Sequence, residues 1–600
     1  MNMIPFSTSD IKQNSLGLPN IIEESQTLHN KKSVMTGQCL KTETLNHLGL
    51  ISAIAKELKI VEKIDQRISI QHREENITRG QSVLAMILNG LGFTERRLYM
   101  VSSFFKHKPV EKLIGEGVTS EKLNDDNLGR TLDAIYDYGP TKLYTEVAFE
   151  VGLENNALGK SSHLDTTSLS VEGEYEDTPF DKEHDSNFNI TNGHSKDHRP
   201  DLNQFIISLT TTGPSSIPIW MESLSGNTSD KKSFIDTINA AKKFQDEIRE
   251  HQQFIWVADS ALYSKNRLLK SGDFVKWITR IPENIKEAKD LVTRKFNDFK
   301  WTPLDIGYSY TRYTTNHGGV KQRWILIFSE KAYKKETANL KDNFERKESN
   351  LNKKIKKLEG ELFACKRDAK KDFLKFQKTC KLFSLKHEVI KVYGKKDGKK
   401  GRPKNGDKTI KGYNLKINYF WNKEEVSKLE NSKGRFILGS NEMSENLISD
   451  EEIFREYKEQ SKTERTFRYL KDPSFYASEV FLKKPERIQS LMVVMALCLL
   501  IYNVGEYHLR KLLKDNNDTL PNQNGRPTKR PTLKMIFQFF RDVSIAKVIS
   551  NSGELITESV CNLDKIHHKI IQYFGKIAAD IYNIDYTGPP DKSSPFFLLK

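Results

Sequence analysis

Six hundred residues exceed what one hydrophobic core organises, so the chain should divide into roughly two to four domains. Ninety-five Lys and Arg against 79 Asp and Glu leave +16, a surplus that points to a polyanionic partner, most often nucleic acid. Five Cys without CxxC spacing argue against a disulfide framework or a cysteine-rich zinc site and suit a reducing, cytoplasmic setting. The start lacks the pattern of a signal peptide. The longest apolar run, Leu491 to Tyr502, is twelve residues. A membrane span needs about 18 to 20, so this run reads as a buried helix and no membrane role is expected.

In chain order, residues 1–40 are polar and aperiodic and predict a flexible arm. Residues 41–155 turn helical, with Leu48, Ile51, Ile54, Ala55 and Leu58 on one stripe. Thr78 can cap a helix running to about Leu91, Gly92 breaks it, and Thr94 can cap a second helix that carries Arg96 and Arg97. Two helices across a glycine turn make either an ordinary helical hairpin or a helix-turn-helix that meets DNA through those two arginines.

Residues 156–280 change to short β-branched runs, HLDTTSLSV, QFIISLTTT, IPIWM, FIWVAD and KWITR. Helices are expected near 230–250 and 264–271. The layout is multidomain α/β with a mixed sheet, in the order of the ribonuclease H-like fold. Residues 281–436 read as an insertion standing outside that core. In it, Leu340, Phe344, Leu351, Ile355, Leu358, Leu362, Cys365, Phe373 and Phe376 recur near 3.5 spacing. That pattern predicts a solvated helical hairpin or a coiled coil, within one chain or between two. A Gly/Lys loop over 394–412 follows, expected to be mobile and able to touch phosphates. Residues 437–515 should complete the core with a charged helix over 450–471, and 516–600 should be a helical region.

Some chemistry is excluded quickly. Gly159-Lys160-Ser161 resembles the end of a phosphate-binding loop, but Glu154 stands where the first glycine belongs. His194 and His198 lie in a Gly/Pro segment that cannot be the helix a zinc pair needs. Carboxylates at strands say more. Asp165 lies within the first strand of the core, and Asp259 ends FIWVAD, where sites form in open α/β sheets; equally, Asp259 could cap the next helix. On the helix IFREYKEQSKTERTFRYLKDP, Tyr457, Gln460, Glu464 and Lys471 fall on one stripe, with Arg468 a turn beyond Glu464. An acid flanked by bases suits a metal beside phosphates, although a solvated helix with ion pairs would look similar.

Taken in order, LDTTSLSV, VADSALYS and the Tyr-to-Lys helix resemble bacterial insertion-sequence transposases of the DDE class. The segments GHSKDHRPDLNQF, LSGNTSD, GRPK and NGLGFTERRLY…LNDDNLGRTLD resemble one elongated branch of that group, over roughly residues 45 to 545. The family's usual Arg is Gln460 here, which weakens a phosphate contact. The resemblance implies a ribonuclease H-like core in which Asp165, Asp259 and Glu464 clamp two Mg²⁺, or Mn²⁺, for cleavage and strand transfer. It implies that Tyr457, Arg468 and Lys471, with Lys196 and Arg199 between strands, position DNA. The implied partners are double-stranded DNA, as terminal inverted repeats and target, and a second copy of the chain in a synaptic homodimer. A site-specific endonuclease or integrase of the same fold, or a catalytically inactive DNA-binding relative, are the alternatives.

Overall fold

The computed structural model describes residues 38–69, 77–92, 98–171, 175, 188–193, 199–213, 216–228, 254–258, 260, 263, 275–395, 408–470, 482 and 484–588; for 38, 98, 395, 408 and 461–470 it describes the backbone alone. The segments expected to be helical near 230–250 and 264–271, most of the 1–40 arm, and the middle of the 394–412 loop lie outside the described residues.

The chain opens with a strand, β1 (Gln38–Thr44), and a helical layer: α1 (Leu48–Glu57), α2 (Ile60–Asp65), α3 (Arg79–Gly90), α4 (Asp125–Tyr138) and α5 (Pro140–Glu154). Helix α3 starts where the sequence predicts. Thr78 accepts a hydrogen bond from Gln81 N–H at 3.0 Å, while the Gln81 side chain accepts one from Thr78 N–H at 2.9 Å, a reciprocal cap. Gly80 lets α3 cross α2 closely: a Cβ there would come within 2.3 Å of the Val61 carbonyl oxygen.

Next comes the sheet, with β2 (Ser161–Val171), β3 (Asn203–Thr212), β4 (Ile217–Ser225), β5 (Ile255–Ala258) and β6 (Lys276–Arg280) at the five predicted runs. After α6 (Lys286–Thr293), the chain adds β7 (Thr302–Asp305), β8 (Tyr308–His317) and β9 (Val320–Ser329). It then leaves through α7 (Glu330–Glu359), α8 (Lys366–Thr379), the hairpin β10 (Phe383–Lys395) and β11 (Lys408–Trp421), and α9 (Lys423–Asn431), and returns as β12 (Arg435–Ser440). The nine strands stand in the order β4-β3-β2-β5-β6-β12-β9-β8-β7. Strands β2, β5 and β6 are mutually parallel; the remaining neighbours are antiparallel. Residues 281–436, expected to stand outside the core, therefore supply β7 to β9 and the start of β12 to the same sheet.

Within the chain, the long stripe of α7 and α8 does not pair the two helices as a coiled coil. Leu351, Ile355 and Phe373 are buried instead against Phe383, Leu385, Leu415 and Ile417 of the β10–β11 hairpin, a small core of their own. The reason is the alternating β-branched and aromatic sequence of the hairpin, which offers an apolar face where helix and loop were expected.

After β12 come α10 (Asp450–Leu470) and α11 (Pro485–Asp515). Helix α11 contains the apolar run and is long and apolar enough to cross a membrane by length and composition, but 83% of that stretch is buried inside the protein. It packs on α1, α3, α4, α5 and β4, so its burial joins the N-terminal helices, one face of β2 to β4 and the C-terminal elements into one core. The last region is not wholly helical. A short pair, β13 (Leu520–Pro521) and β14 (Pro527–Thr528), precedes α12 (Leu533–Phe539), and β15 (Ser544–Ser550) and β16 (Leu555–Cys561) precede α13 (Lys565–Tyr573) and α14 (Gly575–Ile581). Strand β15 lies between β1 and β16, tying the start of the described chain to its end.

Candidate active site

Strand β2 lies where the parallel part of the sheet meets the antiparallel β3 and is buried at nine of its eleven positions; Asp165 is one of the two half-buried exceptions. Its neighbour on β3 is Leu209. On the other side, β5 pairs through Ser161–Ile255, Ser162–Trp256 and His163–Val257, so the carboxyl end of β5 comes beside the Leu164–Asp165 stretch. An Asp165 carboxylate oxygen accepts a hydrogen bond from the Thr166 N–H at 2.8 Å.

Helix α10 lies across these strands because its apolar side is anchored. Ile453 and Phe454 are buried with Ile255, Val257, Ile278 and Leu438, and Tyr457 packs on that cluster with its ring 6.4 Å from Phe436. An ionic knot fixes its first turn. Asp450 is buried between Arg323, at 3.3 Å, and Arg312, at 2.5 Å, and Arg312 also pairs with Glu445. Arg323 donates to the Ile448 carbonyl at 2.9 Å. Burial raises the Asp450 carboxyl above its usual pKa despite both arginines, and burial likewise lowers Arg323, as expected for ions taken out of water.

Beyond the knot, α10 meets the first residues of β2. Glu452 meets Lys160 at 3.5 Å, and one turn later Glu456 accepts a hydrogen bond from the Ser161 hydroxyl and lies 3.7 Å from His163 Nε2. Ser161 Oγ and His163 Nε2 are 3.3 Å apart. Burial pushes the Glu456 carboxyl up, but the hydrogen bonds with His163 and Ser161 and the nearby charges of His163 and Arg455 outweigh it and hold the carboxyl below its ordinary value. This Glu456–Ser161–His163 cluster escaped sequence reasoning. Its signal was available: glutamates at 452, 456 and 464 share the spacing of whole helical turns, and His163 sits two residues before Asp165.

The other expected residues are distributed as follows. Gln460 is half-buried on α10, one turn past Glu456. Positions 464 and 468 belong to the α10 backbone. Arg199 is exposed and makes a forked pair with Asp201 at 2.8 and 2.9 Å. Asp259, Lys471, Lys196, Arg96 and Arg97 lie outside the described residues, as does Thr94. Among the described residues, no group of three His, Cys, Asp or Glu side chains could hold a metal ion.

Residues 40–149 match a family described as a domain of unknown function (DUF4277). No curated protein matches the chain. Among solved structures, the piggyBac transposase synaptic complex with hairpin DNA aligns over 84% of this chain and 82% of its own, at 9% identity and a TM-score of 0.32. The Mos1 transposase paired-end complex with left transposon end aligns over 37% of this chain and 64% of its own, at 11% identity and a TM-score of 0.13. Superpositions this loose carry no functional weight.

Proposed function

We propose that the chain is a DNA transposase with a ribonuclease H-like core, cutting transposon ends and joining them to target DNA. The strand order β4-β3-β2-β5-β6, with β2, β5 and β6 parallel, supports that core. The carrying observation is that α10 packs over β2 and β5. Its contacts advance from Glu452 at Lys160 to Glu456 at Ser161 and His163. Eight further residues of helix advance about 12 Å. A strand covers that length in between three and four residues, at about 3.4 Å each. Continued in that direction, position 464 of the backbone would come near the Asp165 stretch of β2, which supports the reading. Asp259 follows directly after Ala258, the last residue of β5. The reading requires Asp165, Asp259 and Glu464 to converge. An acid within β2, a second directly after β5 in sequence and a third on the helix that packs over both strands are consistent with it.

The donor set is all oxygen, which suits Mg²⁺ or Mn²⁺ rather than zinc, and Asp165 is half-buried rather than sealed, so the residues fit the group. When bound, such ions supply charge neutralisation for the phosphoryl oxygens and a lowered pKa for an attacking water. Asp165, Asp259 and Glu464 would hold them. Gln460, Arg468 and Lys471 would hold the DNA backbone, with Lys196 and Arg199 from the β2–β3 connection; Tyr457, packed on Phe436, would contribute through its outward edge. Arg96 and Arg97 would read the terminal repeats, and two copies would pair the two ends.

The test is incubation of the full chain with duplexes carrying the sequences that flank its own gene. We expect cleavage leaving a 3′-OH, abolished by chelation and restored by Mg²⁺ or Mn²⁺, followed by joining to a second duplex. Cleavage without joining would favour the endonuclease reading. No cleavage with either metal, or cleavage that resists chelation, would overturn both.

A further inference from the structure

The chain's positive charge is concentrated away from the proposed catalytic strands. The 44 residues 366–395 and 408–421, helix α8 and the β10–β11 ribbon with their connection, hold thirteen Lys and Arg against three Asp and Glu, a net +10 of the chain's +16. The two ribbon strands alone contain six Lys and a single acid, Glu388.

The ribbon has a packed base and, among the described residues farther out, an uncovered stretch around Tyr393 and Ile410. Phe383, Leu385, Leu415 and Ile417 are buried beneath it against α7 and α8. The cover ends where Phe363 exchanges two backbone hydrogen bonds of 2.8 Å with Tyr413 and Leu362 lies against Gly412. Outward from there, Ile390, Lys391, Tyr393, Thr409, Ile410 and Lys411 are exposed. The pairing steps from Val392–Gly412 to Tyr393–Ile410, leaving Lys411 as the extra residue of a bulge. A bulge sharpens the twist of a ribbon and re-aims the residues beside it. Lys386 and Lys416 lie on the solvent face of the base, where Lys386 sits 5.7 Å over the Phe420 ring.

Tyr393 and Ile410, a cross-strand pair, are each 48% exposed. A two-stranded ribbon of this kind matches the roughly 12 Å width of a duplex major groove. Lysines along its edges suit a polyanion whose charge repeats along a line, and the exposed apolar pair suits base edges and thymine methyls. We propose that the β10–β11 ribbon is a second docking arm for duplex DNA, seating its Tyr393–Ile410 pair in a groove and holding the backbone through Lys386, Lys391, Lys411 and Lys416. This rests on the reading of the chain as a DNA-acting enzyme and names a contact beyond its catalytic strands.

The test compares the full chain with a variant carrying Lys386→Gln, Lys391→Gln, Lys411→Gln and Lys416→Gln, and with a second carrying Tyr393→Ala and Ile410→Ala. Binding to a 40-base-pair duplex is followed by anisotropy across a salt series, with thermal unfolding as the folding control. We expect the four-lysine variant to bind at least about tenfold more weakly at low salt, with the log–log salt slope reduced by up to about 3.6, near 0.9 for each phosphate no longer neutralised. The apolar-pair variant should weaken binding several-fold at unchanged slope. If the wild-type chain binds DNA and both variants match it in affinity and slope, the ribbon proposal falls while the proposed function stands. If the wild-type chain binds no duplex at all, the proposed function itself fails. Should the four-lysine variant unfold, the apolar-pair variant alone decides, by the same criterion of affinity.

Discussion

At the scale of single residues, the instructive case is Glu456. The sequence shows a glutamate on a charged helix, and nothing in composition distinguishes it from Glu452 or Glu459. Only the path of α10 over β2 shows that it meets Ser161 and His163. Its carboxyl is held below the ordinary value. A carboxylate depressed in the folded state adds stability above its unfolded pKa, and that contribution is lost as pH falls through the folded one. Glu456→Gln should therefore be less stable than wild type at neutral pH, and the difference should shrink below about pH 4, where the unfolded carboxylate protonates, and vanish lower still. Urea unfolding of both proteins at several pH values checks this; a difference that stays constant down to low pH would contradict it. Asp165 is the opposite case, legible because an acid within a β-branched run is conspicuous.

Among elements, legibility followed burial. The five core runs and the helix over 450–470 were readable because β2 to β6 are apolar on the faces they bury, and α10 has a periodic sequence with an acidic first turn. Strands β1, β15 and β16 were not, because β1 and β16 are largely exposed and β15, between them, is half-buried on both faces, so none carries a clear apolar alternation. The β10–β11 ribbon was hidden by its lysines, which read as loop and helix. For α10, the acidic first turn is plain in the sequence, but the burial of Asp450 between two arginines is not. Asp450→Ala leaves Arg323 buried without its carboxylate partner and should cost about 3–5 kcal/mol. Glu445→Ala removes only an exposed partner of Arg312 and should cost far less. Equal losses in denaturant unfolding would show that the knot does not anchor the helix.

For the whole molecule, the architecture separates what must be intact from what is appended. The N-terminal helices, α11 and the C-terminal elements share one core with β2 to β4, so the expected division into an N-terminal helical region and a C-terminal one is not a division of the core. The α8 and β10–β11 unit has its own apolar cluster, and its two ends are close: the rings of Phe344 and Trp421 are 5.2 Å apart. Replacing residues 345–420 with a short Gly/Ser linker should leave cooperative thermal unfolding of the remainder, since no strand of the nine-stranded sheet is removed. Loss of cooperative folding would show that the appended unit is part of the core. The same architecture puts the proposed chemistry where three parts of the chain distant in sequence meet, β2, the end of β5 and α10. Strand cleavage by Asp165→Ala, Asp259→Ala and Glu464→Ala, each assayed on a terminal-repeat duplex with Mg²⁺ alongside duplex binding, tests that claim most directly. Each substitution should abolish cleavage and leave binding within about threefold of wild type, because the three carboxylates would hold the ions that cleavage needs while other residues hold the DNA backbone. Cleavage that survives any one of the three, or binding that falls in step with cleavage, would contradict it.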